Sequence, residues 1–195
     1  MHLAFDIFQG MGVAAAVGIR PFLPALAAGA LAAGDVEIHF DHTDFSFLQS
    51  TPFLLAMAVC AIALALLERG LAPGRLESGA PGLILAAASL ALGALFFAGS
   101  LCRGHYVIWP GIVGGIVCAA IGIAASRPLL ARARARLSGE DALLPVFAEG
   151  SALLLAALSV VAPPVGVIGV LALLWLLWSS RRREGQKYAG LRILR

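Results

Sequence analysis

The sequence predicts an all-α transmembrane protein built as a six-helix bundle. Three observations carry that reading. The composition is 61% hydrophobic and only 13% charged, with a mean hydropathy of +0.94, whereas soluble domains carry about a quarter of charged residues. Runs of Leu, Ala, Val, Ile and Gly reach the ~20 residues that a helix needs to cross a hydrocarbon core. Charged residues gather where those runs end. The short alternating segments of an outer-membrane barrel are absent from the sequence, because such strands would show a period of two over about ten residues.

The elements follow in order. A first apolar stretch covers residues 3–33 and is interrupted by Asp6 and Arg20; it continues too far past Arg20 for the apolar part of a cleavable signal. A second covers 47–67 and closes on Glu68-Arg69-Gly70, and a third covers 80–101. The fourth, fifth and sixth fall at about 107–130, 142–162 and 165–180. Cys60, Cys102 and Cys118 lack metal-ligand spacing, and the first and last of them read as small hydrophobes within apolar runs.

Loop charge predicts orientation. The segments "ERGLAPGRLES", "RARARLSGED" and "RRREGQKYAGLRILR" hold eleven of the fourteen Lys and Arg, whereas the alternate loops hold Arg103 alone. The positive-inside rule then puts the basic loops and both termini of a multi-pass membrane protein in the cytoplasm. Trp109, Trp175 and Trp178 sit near helix ends, where an aromatic belt belongs. The net charge of +3 is spent on these flanks and is no sign of nucleic-acid binding.

The two halves echo each other. Arg20-Pro21 follows the small-residue run "GMGVAAAVGI", and Arg127-Pro128 follows "GIVGGIVCAAIGIAAS". Each is succeeded by a helix pair, which predicts two inverted three-helix repeats with a broken first helix in each. The domains expected are residues 1–104, residues 105–180 and a basic cytoplasmic tail, 181–195. Small-xxx-small spacing in the same runs predicts close helix packing or dimerisation, and a protomer of only six helices points to a homo-oligomer that encloses a path.

Gly18-x-Arg20 with Pro24 four residues on, "FSFL" at Phe45–Leu48, an acidic end to the second helix and "KYAGLRILR" at Lys187–Arg195 together resemble a bacterial membrane family catalogued as domain of unknown function 4126. The resemblance covers most of the chain and implies a small polytopic protein, with no activity attached. Two patterns of that family are replaced here. An Asp-Lys-x-Pro after the second helix becomes "ERGLAPG", and a Lys and an Asn near the end of the fourth become "SRPLLARARAR".

Arg20 is the sharpest functional candidate. A charged side chain at a helix centre costs roughly 2.5–3.5 kcal/mol on insertion scales, so it must face protein, water or a counter-charge. Pro21 and Pro24 each remove a backbone donor and bend the helix, and unwound backbone at membrane depth belongs beside a cavity. A second half-helix starting near Pro21 would aim its positive end at the same place as the guanidinium, an arrangement suited to an anion. The expected binding residues are therefore Gly18, Arg20, Pro21 and Pro24, with Glu149 as a coupling or counter-charge and Arg127 as a second arm. The alternative is a structural staple in which Arg20 pairs with Asp6 or Glu149. Glu68 reads as an interfacial carboxylate paired with Arg69 or Arg127.

The loop "DVEIHFDHTDF" offers His39, Asp41 and His42 as weak metal candidates, with His105 needed from another loop; a solvated acidic loop explains it as well. No phosphate-binding glycine loop, zinc helix motif or Ser-His-Asp set can be assembled, so no cofactor and no enzymatic activity are expected. The expected function is a small inner-membrane transporter binding an anionic or polar solute at Arg20, with the lipid bilayer or its headgroups as a further partner. Its rivals are a non-transporting scaffold or partner subunit and a protein that handles phosphate-bearing lipids.

Overall fold

A computed structural model describes residues 2–38, 40–41, 43–70, 79–136 and 143–189. Seven α-helices and one short 3-10 turn make up the described residues, with no strand among them. The helices are α1 (His2–Ile19), α2 (Phe22–Ala33), α3 (Thr51–Gly70), α4 (Gly79–Arg103), α5 (Trp109–Arg136), α6 (Leu143–Val161) and α7 (Pro163–Ala189); the 3-10 turn is Ser46–Gln49. Five of them, α3 to α7, are long and apolar enough to cross a membrane, and α1 and α2 are shorter apolar helices. Large apolar side chains such as Leu55, Val59, Ile62, Leu83, Phe147 and Ile168 point outward. That is the surface of a bundle solvated by hydrocarbon, and the chain is a multi-pass α-helical membrane protein.

Prolines mark where the helices begin. Pro52, Pro81, Pro110 and Pro145 stand in the first three positions of α3, α4, α5 and α6, and Pro163-Pro164 open α7. A first-turn N–H has no intrahelical acceptor, so proline there loses nothing. Pro21 caps α2 and Pro24 lies in its first turn, so the expected break after Arg20 is present. The expected second break is not: α5 runs unbroken through Arg127 and Pro128 to Arg136.

The first apolar stretch is a hairpin of two antiparallel helices, which corrects the six-crossing topology. Asp6, near the start of α1, pairs with Arg103 at the end of α4, and Arg20, after its last residue, pairs with Glu68 at the end of α3. Gly29 of α2 then meets Leu48 and Leu54, at the opposite end of α3 from Glu68. The chain therefore alternates direction through all seven helices. One end of the bundle, the loop end, carries Asp6, Arg103 and the loop after α2; the other, the basic end, carries Arg132 of α5 bonded to Ser180 of α7.

Two further expectations change with it. Helix α1 starts at the loop end and α7 finishes at the basic end, so the two terminal helices do not open on one face. The Arg-Pro helices α1 and α5 run parallel, both antiparallel to α4 (Asp6 meets Arg103 and Gly111 meets Ala98), so their echo is not an inverted one. The physical reason is the same: an extra reversal at Arg20-Pro21 gives the first half an even number of helices.

Helix α1 is the central helix, packed on α4, α5, α6 and α7. Its small residues allow this: Ala14, Ala15 and Ala16 are fully buried, and a Cβ on Gly12 would stand 2.5 Å from the Gly166 Cα of α7. Apolar helices gain little by burying apolar surface in lipid, so close backbone contact supplies the packing energy. At the loop end the space between helices is filled by rings. Phe40 packs edge-on against Phe96 at 6.3 Å between centroids, and the Phe53 ring lies 6.2 Å from that of Phe96.

Candidate functional site

The hairpin turn places a guanidinium inside the basic end. Arg20 still donates its backbone N–H to Ala16 O at 3.1 Å, completing the last turn of α1, before Pro21 redirects the chain. The side chain is only 6% exposed. Its Nη1 donates to Glu68 Oε1 of α3, and its Nε lies 3.8 Å from Glu149 Oε1 of α6. One cation thus stands between two carboxylates from two other helices. Glu149 is six positions past the first residue of α6, so the cluster lies roughly 9 Å along that helix from its basic end.

The pairing is incomplete. Arg20 Nε, Arg20 Nη2 and Glu149 Oε2 are buried and have no hydrogen-bond partner. Such a group costs about 1–3 kcal/mol, more when charged, so three together in one cluster call for a further partner. A cavity of about 50 Å³ borders Arg20, lined also by Gly18, Pro21, Ser89 and Ser126, and by Arg127 from α5. That is room for a few waters or one small ion. Arg127 is half-buried and donates Nη2 to the Gly82 carbonyl of α4 at 3.0 Å. The N-terminus of α2 begins at the same wall, since Pro21 lines the cavity and caps that helix; its positive end adds to the field of the two guanidiniums.

Most of the expected site residues meet here. Arg20, Pro21, Gly18 and Arg127 line the cavity, and Glu149 reaches Arg20. Gly18 serves by being small, because a Cβ there would collide with the Ala119 carbonyl of α5. Pro24 is buried in the first turn of α2 and does not line the cavity. Glu68 pairs with Arg20, not with Arg69 or Arg127. Asp6 pairs with Arg103 instead of Arg20, and Arg103 also donates to the Glu37 carbonyl at 2.7 Å. Ser89 and Ser126 were not expected; a lone serine inside an apolar run is the only signal that would have marked them.

Of the weak metal candidates, His39 and His42 lie outside the described residues. Asp41 is exposed and accepts a hydrogen bond from Gln49 Nε2, and His105 is exposed with a positive φ of 57°. Among the described residues no group of three His, Cys, Asp or Glu could hold a metal. Against known proteins, no family model, no curated protein and no solved structure matches the chain.

Proposed function

We propose that the protein binds a small anionic solute at Arg20 and carries it across the bacterial inner membrane. One observation carries the reading: a buried guanidinium with unpartnered nitrogens borders a cavity that a second arginine also lines. The positive-inside rule assigns the basic end to the cytoplasm, so the cavity lies toward that side and α1 starts at the outer face. The volume of about 50 Å³ suits a free anion of few non-hydrogen atoms better than a phospholipid headgroup, whose phosphate brings its glycerol with it.

Proteoliposomes loaded with the purified protein should take up labelled formate faster than empty vesicles, and Arg20→Ala should lose that uptake. Arg20→Lys keeps the charge but not the two-pronged donor geometry, and should retain only a fraction. Equal uptake by wild type and Arg20→Ala would overturn the proposal. A purely structural role is favoured by the hydrogen bond to Glu68 and the ion pair with Glu149; it predicts that no small anion raises the melting temperature of the wild type.

A further inference from the structure

Resting on the anion-binding reading, the charge balance of the cluster says what else must move. Four ionisable groups make up the cluster: Arg20 and Arg127 line the cavity, and Glu68 and Glu149 pair with Arg20 behind it. With both carboxylates ionised their charges cancel. Helix α2 carries no ionisable side chain and α7 carries none before Arg181; of the nearby cations on the other helices, Arg69 of α3 is exposed and Arg132 of α5 bonds Ser180 of α7. An anion added to this neutral set would leave a net negative charge away from bulk water, which is costly in a low-dielectric interior.

The two carboxylates are not equivalent. Glu68 holds a direct hydrogen bond from Arg20, whereas Glu149 lies 3.8 Å from Arg20 Nε, a loose ion pair, and receives no hydrogen bond from that group. Its Oε2 is buried and unpartnered. An anion in the cavity competes for the same guanidinium nitrogens, and the carboxylate that loses the competition is the one held less tightly. We infer that the site takes its anion together with one proton, which Glu149 accepts at its unpartnered oxygen and gives up when the anion leaves. Atoms and charge balance: one O–H bond forms on Glu149 as one monovalent anion arrives, and the cluster stays neutral. Arg20 is the shared switch, facing Glu149 when the cavity is empty and the anion when it is filled. The solute class is thereby narrowed to a small monovalent anion moved with a proton.

The test uses the full chain purified in detergent, weakly buffered, with a pH indicator in solution. Sodium formate is titrated against sodium gluconate at equal ionic strength, and binding is read by calorimetry. Over the pH window in which Glu149 is ionised in the empty site and protonated in the filled one, formate binding should draw about one proton per formate from solution and its affinity should fall about tenfold per pH unit. Glu149→Gln should bind formate without proton uptake and without that pH dependence, whereas Glu68→Gln should keep the uptake. Formate binding by the wild type with no proton uptake overturns the coupling and leaves the anion site standing. Proton uptake that persists in Glu149→Gln also overturns the assignment. Absence of formate and nitrate binding at every pH overturns the anion reading itself. If Glu149→Gln does not fold, the wild-type proton count decides the coupling and Glu68→Gln decides the acceptor: loss of proton uptake in Glu68→Gln overturns the assignment to Glu149.

Discussion

The two ends of α1 each carry an ion pair at least partly buried, and the pairs differ in kind. At the loop end one carboxylate, Asp6, meets one guanidinium, Arg103, whose second branch is taken by the Glu37 carbonyl. No atom of that pair is left buried without a partner, and aromatic rings fill the neighbouring space. At the other end one guanidinium meets two carboxylates, three polar atoms lack partners, and a cavity opens beside them. A matched, satisfied pair with no room around it ties helices together. A mismatched one beside a cavity is a place where something else can bind.

That contrast can be broken by mutation. The largest effect should come from Arg20→Ala, which leaves Glu68 and Glu149 facing each other without their shared cation. Losing one partner of a buried pair costs about 3–5 kcal/mol, and the melting temperature in detergent should fall accordingly. Adding Glu149→Gln to that variant should recover part of the loss, because it removes the repulsion. Arg103→Ala should cost somewhat less, about 3 kcal/mol, since Arg103 is partly exposed and water can reach it. The double variant Asp6→Asn/Arg103→Ala should recover most of the stability. Formate-dependent stabilisation should survive in every loop-end variant and in no variant that lacks Arg20.

Smaller still is Gly18→Ala. The added methyl meets the Ala119 carbonyl and forces α1 from α5, an overpacking cost of about 1–3 kcal/mol. Because Gly18 also lines the cavity, the same substitution should weaken formate binding, whereas Gly12→Ala, at the α7 contact nearer the loop end, should destabilise without changing affinity. Equal effects of both on binding would mean that the cavity is not where the anion sits.

Much of this was legible beforehand, and the misses have identifiable causes. Hydropathy located the membrane helices, and Arg20-Pro21 marked a real break, because proline cannot donate within a helix. The reversal at that break went unread, since residues 19–22 contain no polar loop and hydropathy cannot tell a kink from a hairpin. Length carried the missing signal: residues 3–33 as one straight helix would measure about 46 Å, against ~30 Å of hydrocarbon. Pro128 misled in the opposite sense, because α5 absorbs it without a break. Glu68 was assigned to the interface from its place at the end of an apolar run. Only the hairpin, which carries Arg20 to the end of α3, explains why that carboxylate is needed inside.

The central claim is that the mismatched end binds and the matched end does not. Calorimetric titration of formate into Arg20→Lys and Arg103→Lys, each retaining its charge and hence the best chance of folding, tests it most directly. Affinity should drop at least tenfold in Arg20→Lys and stay at the wild-type value in Arg103→Lys. Equal affinity in the two variants, or a larger loss in Arg103→Lys, would contradict the account.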